Sequence, residues 1–394
     1  MKLYALTPQT EIELRLDRIR SIMAAENMDA MLISSNANIY YASGRVLNGY
    51  IYVPVVGDAW YFVRRPLGIE GDNVVYAHKP ELIPSLLEER GAKLPAKIGL
   101  ELAVTDYLTV ERLAKVFPSA EVKNASAVLR KARSVKTPFE IDLLRKSGVK
   151  HEEVYRRIPQ LYEEGMSDIE LQIEIERESR LEGCLGQFRI SGESMELFMS
   201  NVLTGDNADS PTPYDFAMGG AGLDPSLPVG ADGTIIKPGM TVMVDSNGNF
   251  TGYMTDMTRV FKLEEIEGLA VKAHQCSIDI CHELSKMGLP GVAASLLYNR
   301  ALEMVKERGL EEYFMGYSQK AGFVGHGVGI EINDLPVIAP KSRDILEENN
   351  VIALEPKFVI PHVGAVGIEN TYVVRKDGME RITNAPEEII DLIK

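Results

Sequence analysis

Five acid or imidazole side chains stand where a folding chain would ordinarily place hydrocarbon, and they limit this sequence more than any other feature. Thr241-Val242-Met243-Val244 is an apolar run that ends in Asp245. Asp256 sits between Thr255 and Met257, His326 between Gly325 and Gly327, Glu355 after Ile352-Ala353-Leu354, and Glu369 after Val366-Gly367-Ile368. An ionised carboxylate buried without a partner is very costly, so apolar strands do not carry one unless something compensates it. Asn247 and the glycines between the two aspartates predict a hairpin turn that holds Asp245 and Asp256 side by side. Like charges so placed raise each other's pKa unless a cation neutralises them. Each residue alone has an ordinary reading, a turn aspartate or a satisfied histidine. Together, four carboxylates and one imidazole fit a pair of divalent cations with room for a bridging hydroxide. Oxygen-rich ligation with one imidazole favours Mn, Co, Fe or Zn over a thiolate-loving metal. A water shared by two such ions loses a proton near neutral pH and becomes a nucleophile.

The rest of the chain is consistent with a soluble enzyme. Its 394 residues suggest two domains, with 45% hydrophobic and 25% charged residues. The formal charge of -15, without a basic stripe, excludes nucleic acid as an expected partner. Cys184, Cys276 and Cys281 lack CxxC spacing, so neither a disulfide framework nor a thiolate zinc site is expected. Glu11, Glu13, Arg15 and Asp17 interrupt the N-terminus where a signal peptide needs an apolar stretch. No uncharged run reaches membrane-spanning length. A cytoplasmic location is therefore expected.

An amphipathic helix is expected over 10–27, with strands at Ala30–Ile33, Ile51–Val56, Trp60–Val63 and Lys97–Leu100. Helical stretches around 80–90 and 109–116 alternate with them, which implies a small α/β domain. A boundary is expected near 125–137, giving domains 1–132 and 137–394. Thr137-Pro138-Phe139-Glu140 and Ser167-Asp168-Ile169-Glu170 are capping boxes that open helices. Two more helices are expected at 264–287 and 291–308, ended by Gly288 and Gly309. The Gly- and Pro-rich stretch 203–239 reads as a functional or mobile loop rather than a phosphate cradle.

The order Asp, Asp, His, Glu, Glu, within D-x-x-G, T-D-x-T-R, G-H-G-x-G, L-E-P and G-I-E-N, resembles the pita-bread metallohydrolases such as prolidase, aminopeptidase P, methionine aminopeptidase and creatinase. The stretches Asp29–Ile33 and Asn38–Gly44 resemble the accessory N-terminal domain of prolidases and creatinases. The resemblance implies a mixed α/β fold, a creatinase-type N-terminal domain followed by a pita-bread domain. It implies that Asp245 binds one metal, that Asp256 and Glu369 bridge two, and that His326 and Glu355 complete the second. Arg259 would then orient the carboxylates, or form a structural salt bridge. A homodimer is also implied.

The chain departs from that pattern at three places. Peptidases of the family usually carry a histidine seven residues after the ligand histidine, where this chain has Asn333. A second, upstream histidine is missing, with Thr212 near its place. Lys357 stands where prolidases usually have glycine, able to attract a substrate carboxylate or to pair with a nearby acid. Asn333 can steady a carbonyl or oxyanion, but an amide cannot shuttle a proton. His362 is a candidate pocket residue or a surface turn, and His274 and His282 read as ordinary helix residues. The first reading is an Xaa-Pro peptidase, dipeptidase or aminopeptidase, acting through a hydroxide held by two metals. The alternatives are hydrolysis of another C–N bond in a small metabolite, in the manner of creatinase or ectoine hydrolase, and a non-catalytic binding module.

Overall fold

Short apolar runs separated by polar turns build a mixed sheet in the first part of the chain. The structure is a computed structural model that describes residues 1–4, 6–192 and 195–393. It divides into two units, Met1–Arg133 and Ser134–Lys394. The first contains α1 (Gln9–Ala25), β1 (Ala30–Ile33), α2 (Asn36–Ser43), β2 (Asn48–Pro54), β3 (Trp60–Arg65), β4 (Val74–Tyr76), α3 (Ile83–Glu88), β5 (Lys97–Leu100), α4 (Tyr107–Val116), β6 (Glu121–Asn124) and α5 (Ser126–Ser134). Its sheet runs β4-β3-β2-β1-β5-β6. β1 is buried along its whole length, as a central strand covered on both faces must be. The helix α2 follows β1 directly and was not among the expected helices. Ser34 and Ser35 bond the buried carboxylate of Glu101, which also takes the Asn38 amide.

The second unit begins with α6 (Pro138–Leu161) and α7 (Asp168–Leu181). Both expected capping boxes are present: Glu140 N donates to Thr137 Oγ1 and Thr137 N to Glu140 Oε2, with the same exchange between Ser167 and Glu170. The strands β7 (Ser200–Thr204), β8 (Thr241–Asn249) and β9 (Met254–Lys262) follow, then α8 (Gly268–Met287) and α9 (Ala294–Glu307). The unit ends in β10 (Gly325–Gly327), β11 (Asp334–Ile338), β12 (Val351–Leu354), β13 (Lys357–Ile360), β14 (Gly364–Gly367), β15 (Asn370–Arg375), β16 (Gly378–Arg381) and β17 (Ile390–Asp391). Three sheets form: β17-β9-β8-β7, β11-β10-β12-β15-β16 and the hairpin β13-β14. One apolar core joins α6 and α7 to β7, β8 and β9, through residues such as Val154, Ile158, Ile175, Val244 and Phe261. A second joins α8 and α9 to the later strands, through Ile280, Leu284, Leu297, Ile352, Phe358 and Val366. The mixed α/β plan is the expected one.

The hairpin between Asp245 and Asp256 is longer than the sequence suggested. β8 continues through Asn247 and Gly248, and the turn falls at 250–253, where Gly252 takes φ +86°. Asp245 faces Thr258 and Asn247 faces Asp256 across the pair. Because side chains alternate along a strand, all four share one face, and the two aspartates meet on the diagonal.

β10 lies between β11 and β12, with His326 opposite Ala353. A Cβ added at Gly327 would lie 2.1 Å from the Leu335 carbonyl oxygen, so only hydrogen fits there. Gly327→Ala is therefore expected to destabilise the fold by about 1–3 kcal/mol through overpacking. Urea unfolding should show a lower midpoint at unchanged slope; an unchanged midpoint would contradict the close approach.

Candidate metal centre

Five strands deliver the five candidate ligands to one place. Asp245 and Asp256 come from β8 and β9, and His326 from β10. Glu355 follows the last residue of β12, and Glu369 precedes the first of β15. Asp256, His326 and Glu369 offer donor atoms within 4.8 Å of one another, and so do Asp245, Glu355 and Glu369. The two triads share Glu369. Asp256, Glu355 and Glu369 are buried, and Asp245 and His326 are half-buried.

The backbone around Glu369 is held from several sides. Its N–H donates to the Thr258 carbonyl, and Thr258 Oγ1 donates to Glu369 Oε2 at 2.8 Å. From α8, Ser277 Oγ accepts the Ile368 N–H and His274 Nδ1 accepts the Gly367 N–H. His274 is thus part of the support for this corner rather than an ordinary helix residue; burial pushes it down to about 4 and keeps it neutral. Thr371 Oγ1 accepts the Asp256 N–H and donates to its carbonyl, fixing β9 against β15.

Arg259 is fully buried. Its guanidinium donates to the carbonyls of Thr258, Glu369, Ala385 and Pro386 and to Asn370 Oδ1. It therefore holds the Glu369 segment through main chain, and these bonds are neither the direct grip on a carboxylate nor the salt bridge that the sequence left open. Five donors in a planar fork suit that task.

Lys357 lies inside the acid cluster. Its side chain is fully buried, and Nζ lies 2.8 Å from Asp245 Oδ2, 2.7 Å from Glu355 Oε2 and 3.1 Å from Glu369 Oε2. Of its two sequence readings, pairing with a nearby acid is the one the geometry matches, and the acids it pairs with are the candidate ligands. A glycine beside it makes room: Lys357 is paired with Gly367, whose φ is +128° and where a Cβ would lie 3.0 Å from Lys357 Cα.

The remaining polar atoms of the cluster point to a further cation. His326 Nε2 lies 3.3 Å from Glu355 Oε1 and 3.8 Å from Asp256 Oδ2. Glu369 Oε1 is buried and has no hydrogen-bond partner among the described residues. Burial first, and the Asp245 charge second, push Asp256 up to about 8. Burial and the charges of Asp256 and Glu355 push Glu369 well above the carboxylate range. Burial opposes ionisation of Glu355 too, but Lys357 and His326 hold it down at about 2. Burial likewise opposes charge on His326, yet Glu355 and Asp256 carry it up to about 9. These are the responses of acids crowded in low dielectric with too little positive charge, and a divalent ion between Asp256, His326 and Glu369 fits them.

Beside the cluster lies a cavity of about 100 Å³, lined by apolar residues such as Leu197, Phe198, Phe216, Met218 and Phe323 together with Asn201, Asn247 and Asn333. Asn333 reaches the cavity, but its oxygen accepts from Ser191 N at 2.7 Å and its nitrogen donates to Ser191 O at 2.5 Å. Its amide thus ties down the neighbouring loop. Thr212 is not among the lining residues; its hydroxyl donates to the Pro228 carbonyl, and the loop presents Asp215–Met218 to the cavity instead. His362 is a surface residue at the tip of the β13-β14 hairpin, 89% exposed and paired with Asp206. Asn201 and Asn247 were not anticipated. Each donates its amide nitrogen to a carbonyl, leaving the oxygen buried without a partner among the described residues. Their place on the ligand-bearing face, Asn247 two residues after Asp245 and Asn201 paired with it, was the available signal.

The accessory region matches the Creatinase/Prolidase N-terminal domain over residues 15–135. An uncharacterized peptidase of Bacillus subtilis is 26% identical to 96% of the chain, over 100% of its own length. An Xaa-Pro dipeptidase of Pyrococcus horikoshii is 24% identical over 95% of the chain and 98% of its own. Among solved structures, an Xaa-Pro dipeptidase from Bacillus anthracis superimposes with a TM-score of 0.79 at 21% identity, covering 96% of this chain and 99% of that one. An X-Pro aminopeptidase from Thermotoga maritima gives 0.76 at 22% identity, covering 95% and 99%. These likenesses show a shared pita-bread fold. The model of metallopeptidase family M24 matches residues 142–376, more than half of the sequence and the whole run that carries the five acid and imidazole groups, and the chain belongs to that family.

Proposed function

We propose that this chain is a metal-dependent hydrolase of an amide bond in a small substrate, with an Xaa-Pro dipeptide as the first candidate. The observation that carries the reading is the pair of triads, Asp256, His326 and Glu369 with Asp245, Glu355 and Glu369, that share Glu369, whose Oε1 is unpartnered among the described residues beside a cavity. A divalent ion held there would supply Lewis acidity, which activates water and polarises a carbonyl. The oxygen-rich donor set favours manganese, cobalt, iron or zinc.

The chain's own groups do the rest. Burial raises the proton affinity of Asp256 and Glu369, and a cation between them would favour their ionised forms. The apolar walls exclude bulk water and strengthen electrostatic interactions inside. The names of the relatives, Xaa-Pro dipeptidases among them, support the same class.

A second reading, hydrolysis of another C–N bond in a small metabolite, is favoured by one observation. His326 is the only imidazole among the described lining residues, and the Asn333 amide is engaged by Ser191. A panel of Xaa-Pro dipeptides against small N-substituted amides separates the two. Cleavage of the dipeptides supports the first reading; a metal-loaded protein that cleaves only the other amides overturns it.

Asp256→Asn is expected to lower turnover at least a hundredfold and to weaken metal binding in parallel, as assayed by metal content after dialysis. Full turnover in this variant would refute the ligand role. Metal affinity of the apoprotein should climb as pH rises from neutrality to about 9, because the ion must displace protons from Asp256, near about 8, and His326, near about 9. Calorimetry in buffers of different ionisation enthalpy should show protons released on binding; a pH-independent affinity would contradict the assignment.

A further inference from the structure

We propose that the centre takes one divalent ion rather than two, because the Lys357 ammonium is a built-in second cation. The inference rests on the metal-hydrolase reading and deepens it. Of the two overlapping triads, Asp245, Glu355 and Glu369 are the three acids that surround Nζ. An ammonium has three N–H donors and no acceptor. Here each of three carboxylates accepts one, so the lysine is fully satisfied, and its stem is buried along its length.

The carboxylate oxygens divide accordingly. Asp245 Oδ2, Glu355 Oε2 and Glu369 Oε2 face Nζ, while Glu355 Oε1 faces His326 and Glu369 Oε1 has no partner. A dication in the first triad would sit about 2.0–2.6 Å from oxygens that now lie 2.7–3.1 Å from Nζ. Both cannot fill the same gap. The expectation of two dications, drawn from counting four carboxylates, omitted the charge that the chain itself brings. The donors left over, Asp256, His326 and Glu369, form the other triad, with Glu355 Oε1 3.3 Å from the imidazole, and would hold one ion.

The test is the metal stoichiometry of the full chain, stripped by chelator and reloaded with Mn(II), measured by elemental analysis and by electron paramagnetic resonance. Wild type is expected to saturate at one ion per chain with the spectrum of an isolated Mn(II). Lys357→Ala, which vacates the first triad, is expected to rise to two ions with the spectrum of an exchange-coupled pair. Two ions per chain in wild type would overturn the lysine assignment and leave the hydrolase reading standing. A folded Lys357→Ala that still takes one ion would also overturn it. No ion bound by wild type at saturating Mn(II), Co(II) or Zn(II) would instead overturn the metal-hydrolase reading itself. The wild-type measurement decides between these even if the variant does not fold.

Discussion

Everything in the second unit is arranged around the cost of bringing four carboxylates together out of water. At an effective dielectric near 20, two unit charges about 4 Å apart repel by roughly 4 kcal/mol, against a net folding stability of about 5–15 kcal/mol. Four such groups cannot be gathered by β8, β9, β12 and β15 unless positive charge comes with them. Lys357 supplies part of it covalently, on β13, and so is present whenever the strands assemble. Removing one member of a buried ion pair costs about 3–5 kcal/mol, because the remaining charge is left uncompensated. The lysine therefore couples the stability of the β13-β14 hairpin to the geometry of the centre.

The candidate ligand positions stood out because they break the local rule. An acid or a lone histidine in an apolar or glycine-rich strand conflicts with its surroundings, and such conflicts mark functional sites. The capping boxes at Thr137 and Ser167 were legible for the opposite reason, since their hydrogen bonds are made within four residues. Lys357 was visible as an oddity but not as a member of the cluster. The missed signal is the strand period: Glu355 and Lys357 are two residues apart, so an extended backbone through Pro356 puts both on one face. His362 misled because nearness in sequence to two glutamates is not nearness in space. A hairpin four residues deep carries its tip away from its base.

Of the supporting layer, only Arg259 was marked in the sequence, through the resemblance, and its partners were not. Arg259 reaches carbonyls more than one hundred residues downstream, and His274 and Ser277 on α8 hold N–H groups more than ninety residues away. Nothing local distinguishes His274 and Ser277 from ordinary helix residues. Their role follows only once α8 packs on the β13-β14 hairpin and β9 on β15. The same holds for Asn333, which reads as a substituted histidine in the sequence yet meets the backbone of Ser191, from a loop on the far side of β8 and β9 in the chain order.

A lysine spent in this way also limits what the site can recognise. With all three N–H groups given to carboxylates, Lys357 has no donor left for a substrate carboxylate, the role its sequence position first suggests. Selectivity must then come from the cavity walls. These are mostly apolar, and the two buried amide oxygens of Asn201 and Asn247 are acceptors without donors among the described residues. Buried polar atoms in native proteins are rarely left unpaired, and the exceptions gather where a water or a ligand completes them. The wall next to Asp245 is thus built to meet N–H groups, whereas the centre offers negative charge and a single open cation position. A substrate carrying amine or amide hydrogens suits that pairing better than one presenting a free acid to the lysine.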